Sequence, residues 1–137
     1  MDAALVADRL RQVFARDAHG AVAVYLFGSV ARERASPRSD VDVAVLFQDA
    51  PPATLDGFPA ELLDALEQAA AARVDLVVLN TAPVDLVHRV LRDGLLVFEA
   101  DRAARVRFEV RARNEYFDLL PVLEEYRRPR RGSEATR

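Results

Sequence analysis

Two aspartates separated by one residue follow a Gly-Ser pair after ten intervening residues. The four residues are Gly28, Ser29, Asp40 and Asp42. Hard divalent cations take carboxylate oxygens as ligands and keep waters and substrate phosphates as their other ligands. A glycine lets a bulky anion approach the backbone, and a serine with unpaired N–H groups at a helix start suits a phosphate. The pattern therefore predicts a site for a phosphate group beside a divalent cation.

Two predicted strands position these residues. The run Ala21–Phe27 is continuous, apolar and stopped by glycine, which is typical of a strand buried on both faces. The segment Asp40–Phe47 alternates, so its valines point one way and both aspartates point the other. At about 3.3 Å per residue the two aspartate Cα atoms lie roughly 6.6 Å apart. Such a pair can bridge two metal ions about 3.5–4 Å apart.

A third carboxylate, Asp75, lies within the apolar run Arg73–Asn80, which predicts another strand. An acid inside such a run is costly unless it is paired or bound to metal. We therefore expect Asp75 to lie beside Asp42 and to act as a ligand or a base. The alternative interpretation is that Asp40 and Asp42 are solvated acids of an edge strand and that Gly-Ser is an ordinary turn.

Composition excludes several classes of protein. The 137 residues suit one domain, and there is no cysteine for a disulfide or a thiolate metal site. All 19 basic residues are arginine, which excludes a P-loop lysine. No apolar run approaches the roughly 20 residues that span a bilayer, and the N-terminus lacks a signal pattern, so we expect a cytoplasmic protein without a membrane partner.

Charge divides the chain into two parts. Residues 127–137 carry five arginines and one glutamate, a charge of +4, so residues 1–126 carry −3 minus 4, or −7. The basic segment has no periodicity and is predicted to be a disordered tail, whereas residues 1–126 form the domain. An acidic domain argues against stable binding of duplex nucleic acid.

Helical spacing fills the rest of the chain. Asp2 is expected to cap a first helix that ends near Asp17. A second helix starts at Pro59, and a third is capped by Thr81 and stopped by Gly94. The core faces of these three helices are predicted to carry Leu5, Val6, Leu10, Val13 and Phe14; Leu62, Leu63, Leu66, Ala69 and Ala70; and Leu86, Val87, Val90 and Leu91.

The C-terminal third is predicted to hold a short strand, Leu95–Phe98, and a last helix capped by Asp101. Pro121 should kink or end that helix. Its segment Tyr116–Tyr126 is apolar beyond one stripe, which suggests an exposed patch for dimerisation or for a partner. Its core face is predicted to carry Val106, Val110, Phe117 and Leu120.

The Gly28-Ser29 pair, the Asp40-Val41-Asp42 triplet and Asp75 together resemble the polymerase-β-type nucleotidyltransferase superfamily. The small size resembles the minimal nucleotidyltransferases, which are often encoded as antitoxins beside a HEPN-domain toxin. The resemblance covers roughly residues 5–100. It implies an α/β fold with a small mixed sheet of three to four strands flanked by helices, and with the first two strands antiparallel.

The resemblance also assigns roles to residues. The catalytic and metal-binding residues are Asp40, Asp42 and Asp75. The nucleotide-binding residues are Gly28, Ser29, Arg32 and Ser39, and Arg34 and Arg38 are further candidates for triphosphate contact. Arginine binds phosphate in a bidentate manner, although each of these arginines could equally be a plain surface residue.

The function implied is transfer of AMP from ATP, with two Mg²⁺ ions, to a hydroxyl group. By family likeness the acceptor is a tyrosine of a HEPN toxin. Two alternatives remain: a small-molecule nucleotidyltransferase of the antibiotic-modifying type, and a non-catalytic antitoxin that neutralises its partner by binding. The first usually has an additional helical domain, for which this chain leaves too few residues, and the presence of all three acids argues against the second.

Overall fold

The computed structural model of the chain describes residues 2–34, 36, 38–52 and 59–127, and helices alternate with strands along it. Each strand follows one of the apolar runs seen in the sequence. The elements are α1 (Ala3–Arg16), β1 (Ala21–Phe27), α2 (Gly28–Ala31), β2 (Val41–Phe47), α3 (Ala60–Ala70), β3 (Val74–Val78), α4 (Val84–Asp93), β4 (Leu95–Glu99) and α5 (Arg102–Arg127).

The four strands form one mixed sheet in the order β3-β2-β1-β4. Strand β1 is antiparallel to both β2 and β4, and β2 is parallel to β3. The predicted α/β fold, with a small mixed sheet and an antiparallel first pair of strands, is confirmed. Because β1 runs opposite to β2, the turn after β1 lies at the same end of the sheet as the beginnings of β2 and β3.

The sheet buries both faces under helices. One face packs against α1 and α3 and carries the alternating residues Val41, Val43 and Val45 of β2. The other face packs against α4 and α5 and carries Ala44 and Leu46. The alternation predicted for β2 is confirmed from Val41 onward, and it directs Asp42 to the face of α4 and α5.

The first helix forms as its sequence predicts, with one exception. The Asp2 side chain caps α1 by accepting a hydrogen bond of 3.0 Å from the Ala4 N–H. Val6, Leu10 and Phe14 are buried. Leu5, which was expected on the core face, is exposed, because the buried stripe of α1 is narrower than the set of apolar side chains.

Helix α4 begins later than predicted. Its N-cap is Pro83, and no side chain caps the helix, so the assignment of Thr81 as the cap is wrong. The Thr81 N–H instead donates to the Val78 carbonyl in a turn that leaves β3. Val87 and Val90 are buried and Gly94 ends the helix, as expected.

Helix α5 departs most from its prediction. Asp101 caps it, accepting a hydrogen bond of 3.0 Å from the Ala104 N–H. The predicted core face is wrong: Val106, Val110 and Phe117 are exposed, whereas Ala104, Phe108 and Ala112 pack against the sheet.

Pro121 does not end α5, which continues to Arg127. Proline removes one helical hydrogen bond. Since Phe117, four residues earlier, is exposed, water can satisfy the carbonyl that proline leaves free.

Two predicted segments lie wholly or partly outside the described residues. They are the loop at 48–58, of which residues 53–58 are not described, and the tail at 127–137, of which only Arg127, the last residue of α5, is described. None of the helices in the described part of the chain combines the length and the apolar character needed to cross a bilayer.

Candidate active site

Asp42 and Asp75 lie side by side at the beginnings of two parallel strands. The register pairs Asp42 of β2 directly with Asp75 of β3. Neighbouring strands lie about 4.8 Å apart, and paired residues point to the same face. Asp75 lies close enough that its charge raises the pKa of the Asp42 carboxyl group, so the structure brings together the two acids that the sequence places 33 positions apart.

Asp40 stands one step outside this pair. Strand β2 begins at Val41, so Asp40 precedes the ladder and is exposed. The predicted strand boundary at Asp40 is therefore wrong, and strand alternation alone does not place Asp40 on the face of Asp42. Its charge nevertheless contributes to the raised pKa of Asp42, which keeps Asp40 at the mouth of the same site.

The environment of Asp42 disfavours its charged form. Burial raises the pKa of this carboxyl group above its ordinary value, and the neighbouring charges of Asp75 and Asp40 raise it further. Arg32 acts in the opposite direction. The net effect is an upward shift in pKa, and a cation bound at the carboxylates would relieve its electrostatic part.

Gly28 lies against the Asp42 carboxylate. Its φ is +74°, in the left-handed region, and an ideal Cβ at this position would overlap the carboxylate, 2.9 Å from Asp42 Cγ. Glycine is therefore required both by the backbone conformation and by the close approach. The turn after β1 thus places backbone N–H groups next to the acid pair.

Ser29 lies inside α2 and not at its cap. The residue before the helix is Phe27, with extended backbone and no capping side chain. The Ser29 carbonyl accepts a hydrogen bond of 2.8 Å from the Arg34 N–H, which closes the turn after the helix. Ser29 therefore remains beside Gly28 at the end of the sheet that holds the acids.

The other predicted phosphate contacts lie around this turn. Arg32 is the C-cap of α2, is exposed, and lies close enough to lower the pKa of Asp42. Arg34 and Arg38 are exposed. The Ser39 hydroxyl already accepts a hydrogen bond of 2.9 Å from the Ser36 N–H. Among these residues, Arg32 is the one that the structure couples electrostatically to the acid pair.

The donor set fits a hard divalent cation. It consists of carboxylate oxygens only, and two of the three carboxyl groups belong to paired residues of adjacent strands. Within the described part of the chain, no group of three or more acidic or histidine side chains is already arranged to hold a metal ion. Magnesium commonly takes one or two carboxylates together with waters and substrate phosphates, so the set suits an ion that arrives with a nucleotide.

Glu67 supports this site and was not identified from the sequence. This residue of α3 accepts a hydrogen bond of 3.0 Å through its side chain from the Val74 N–H. Val74 directly precedes Asp75 on β3, the edge strand of the sheet that the described residues form. Glu67 therefore satisfies a backbone N–H on the open side of that strand. The Arg73 carbonyl accepts from the Val41 N–H at 2.8 Å. Both contacts hold the register that pairs Asp42 with Asp75. No rule of sequence spacing predicts the contact between Glu67 and Val74.

A second acidic cluster occupies the same face of the sheet. Tyr25 of β1 donates a hydrogen bond of 2.6 Å to Glu109 of α5. Arg105 donates to Glu109 at 2.7 Å and to Glu99 of β4 at 2.8 Å. Burial, and then the bond to Glu109, raise the pKa of Tyr25 above its usual range. This cluster is internally paired and fixes α5 to the sheet.

Comparison with known proteins agrees with this arrangement. Residues 9–103, well over half of the chain, match the family model described as polymerase beta, nucleotidyltransferase. A solved structure described as a minimal nucleotidyltransferase is 40% identical, covers 69% of this chain and 95% of its own, and superposes with a TM-score of 0.55. No curated protein gives a significant match.

More distant structures share the fold. A toxin–antitoxin structure with AMP-PNP gives a TM-score of 0.68 at 21% identity, covering 89% of this chain and 98% of that one. A tri-AMPylated HEPN toxin of Shewanella oneidensis in complex with its MNT antitoxin gives 0.64 at 21% identity, covering 92% and 99%.

Proposed function

This chain belongs to the polymerase β nucleotidyltransferase family, and we propose that it transfers AMP from ATP to a hydroxyl group of a partner protein. The observation that carries this proposal is the pairing of Asp42 with Asp75 against the Gly28 turn. The turn offers backbone donors to phosphate, and the acids offer oxygen ligands to a cation.

In this proposal the site residues divide between binding phosphate, holding metal ions and accepting a proton. Gly28 and Ser29 bind the β- and γ-phosphates, with Arg32 beside them. Asp40 and Asp42 hold the metal ions, and Asp75 completes the second metal site. Bound Mg²⁺ would neutralise phosphate charge and lower the pKa of the acceptor hydroxyl group. The Ser39 hydroxyl oxygen accepts the Ser36 N–H, and its O–H is the group that would donate to phosphate.

The reaction balances as a single displacement. The acceptor oxygen forms a bond to the α-phosphorus of ATP, and the bond from that phosphorus to the bridging oxygen breaks. Pyrophosphate leaves, and the acceptor proton passes to the Asp75 carboxylate. Positioning and charge neutralisation supply most of the barrier reduction in such transfers.

The acceptor in this proposal is a tyrosine of a HEPN-type toxin, and the chain acts in the cytoplasm as its antitoxin. Two distant structural neighbours are toxin–antitoxin structures, one with AMP-PNP and one with an AMPylated HEPN toxin. They support this choice over a small-molecule acceptor.

Mass spectrometry tests the transfer directly. The purified chain, ATP and Mg²⁺ are incubated with the product of the neighbouring gene, and both proteins are weighed. We expect the partner to gain the mass of AMP with wild-type protein, and to gain nothing with Asp42→Asn or without Mg²⁺. An unchanged partner that has nevertheless lost its toxicity would reject the transfer.

That last outcome corresponds to a second candidate function, neutralisation by binding alone. Exposed apolar side chains on α5 favour it, since Val110, Phe117 and Val122 present a surface that a partner can cover. A complex that stays intact in size-exclusion chromatography with both Asp42 and Asp75 changed to asparagine, and that still suppresses toxicity, would support this candidate.

A further inference from the structure

A basic cleft lies between α4 and the C-terminal half of α5, beyond the acid pair. Its volume is about 250 Å³. Three arginines and a single aspartate supply its charged groups, whereas residues 1–126 as a whole carry a charge of −7. The lining residues are Asp85, His88, Arg89, Arg92, Tyr116 and Arg127.

The aromatic residues of the cleft form a fixed wall. The rings of His88 and Tyr116 stack with centroids 3.5 Å apart and an interplanar angle of 2°. Burial lowers the pKa of His88 below its ordinary value, and the charge of Arg92 lowers it further. This stack joins α4 to α5.

Positive charge at the cleft is cancelled only in part. Arg92 pairs with Asp93 at 2.8 Å. Arg89 and Arg127 are exposed and form no ion pair with any other residue in the described ranges. The sequence then continues from Arg127 into Arg128, Arg130 and Arg131, so the rim of the cleft leads into the most basic segment of the chain.

The cleft is connected to the candidate active site through α4. Gly94, at the end of this helix, packs so closely on β1 that a Cβ there would lie 3.3 Å from the Leu26 carbonyl oxygen. Leu26 is two residues before Gly28. The arginines on both sides, Arg32 and Arg89, lower the pKa of Asp93, although the hydrogen bond from Arg92 is the main cause. Helix α4 thus borders the cleft along its length and ends next to the strand that leads into the Gly28 turn.

We propose that this cleft binds an acidic segment of the partner protein and orients that protein toward the acid pair. The identification of the partner as the AMP acceptor rests on the proposed function. Guanidinium groups bind carboxylates in a bidentate manner. The volume of the cleft is below the roughly 300–1,000 Å³ of small-molecule pockets. The stacked rings of His88 and Tyr116 each cover one face of the other, so that these faces are not open for a nucleobase to stack on. Both features suit carboxylate side chains better than a nucleobase.

The test uses a fluorescent peptide with one tyrosine flanked by glutamates, and a matched peptide with glutamines. Binding to the full-length chain is measured by fluorescence anisotropy without ATP. The cleft variant is Arg89→Glu with Arg127→Glu. The matched control is Arg9→Glu with Arg102→Glu, which makes the same change in charge at exposed residues of α1 and of the first turn of α5. Circular dichroism checks that both variants fold.

We expect the glutamate peptide to bind wild type and control equally, and the cleft variant about tenfold more weakly, because both unpaired guanidinium groups of the cleft are replaced by carboxylates. The glutamine peptide should bind wild type, cleft variant and control variant weakly. Added salt should weaken the binding of the glutamate peptide to wild type. Equal binding of the glutamate peptide to wild type and cleft variant would overturn the proposal. So would a uridine oligonucleotide that binds more tightly than the peptide and is lost in the cleft variant.

A separate assay distinguishes this proposal from the proposed function. Transfer of radiolabelled AMP to the neighbouring gene product is followed at varied partner concentration. We expect the cleft variant to raise the KM for the partner about tenfold while the KM for ATP stays unchanged. Peptide binding that follows the expected pattern, with no AMP transfer by wild type, would support the cleft and reject the transferase. If the cleft variant transfers AMP normally with an unchanged KM for the partner, the result would support the transferase and reject the cleft.

Discussion

Two pairs of carboxylates lie on the same face of the sheet, and they differ in the charged side chains that surround them. Glu99 and Glu109 are bridged by Arg105, which bonds to both at 2.7–2.8 Å. Asp42 and Asp75 face each other, and no ion pair joins either acid to another side chain of the described chain.

The difference separates a structural cluster from a candidate functional one. A buried or half-buried charge is retained at low cost when it is paired and hydrogen-bonded. The Arg105 cluster meets that condition internally, whereas the half-buried Asp42 lies beside the exposed Asp75, and a cation or a proton would relieve the crowding of its charge. Unsatisfied electrostatics of this kind cluster at functional sites.

The largest expected effect is on the unpaired acids. Asp42→Asn should lower AMP transfer by at least about 10³-fold, which corresponds to about 4 kcal/mol, because it removes a ligand. It should leave folding intact and raise the free energy of unfolding at neutral pH by up to about 1 kcal/mol, since it removes a charge crowded by Asp75 and Asp40.

Stability against pH provides a check on the same residue. A carboxyl group whose pKa is raised on folding stabilises the native state when protonated, so its contribution is lost as pH rises through the raised value. The melting temperature is measured in EDTA while the pH is raised through this range. It should fall less for Asp42→Asn than for wild type, because the variant lacks the titrating group. A variant that melts below wild type at neutral pH would assign Asp42 a structural role.

The turn that touches the acid pair should show the next largest effect, and the chain contains its control. Gly28 and Gly20 have φ of +74° and +77°, but an added Cβ meets Asp42 only at Gly28 and nothing within 4 Å at Gly20. Gly20→Ala should cost about 1–2 kcal/mol, the penalty for a left-handed L-residue, with transfer unchanged.

Gly28→Ala should cost more than Gly20→Ala in chemical denaturation and should lower transfer at least about tenfold, because the methyl group displaces the carboxylate. Equal activity of the two alanine variants would remove Gly28 from the site.

The paired cluster should respond in stability and not in activity. Arg105→Met leaves Glu99 and Glu109 uncompensated and half-buried, so it should cost about 2 kcal/mol of unfolding free energy. The turnover number for AMP transfer below the melting temperature should remain within about twofold of wild type. A large loss of turnover in the folded variant would show that the two acid pairs are coupled, and would contradict the separation drawn above.

The smallest effect is expected at the support of β3. Glu67→Ala leaves the Val74 N–H without its acceptor and should cost about 1 kcal/mol. It should also raise the metal concentration needed for half-maximal transfer severalfold, through a looser Asp75. Glu67→Gln keeps an acceptor oxygen and should restore most of both. If Glu67→Gln loses as much stability and needs as much metal as Glu67→Ala, the negative charge of Glu67, and not its hydrogen bond to Val74, is responsible.

Local sequence features predicted the elements around the site well. The run Ala21–Phe27 became β1 with the same bounds, and Asp2 and Asp101 cap their helices. These features succeed because they depend on hydrogen bonds and burial within a few residues. The expected neighbourhood of Asp42 and Asp75 is confirmed by the strand register.

Features that depend on which surface a helix meets were predicted less well. Helix α5 has two apolar stripes, and its sequence favoured the stripe with the larger side chains, Val106, Val110 and Phe117. The sheet instead receives the stripe with Ala104, Phe108 and Ala112, because small side chains let α5 approach and because Arg105 and Glu109 meet their partners on that side.

The amino-acid sequence by itself determined the strands, the glycine turn and the family, since each is encoded in residue types at short, fixed spacing. Only the tertiary structure decided that Asp40 lies just outside the strand, that Glu67 holds the backbone next to Asp75, and that arginines from two distant helices form one cleft. Those facts arise from contacts between different elements, and the periodicity within one element contains no information about which surfaces of other elements it meets.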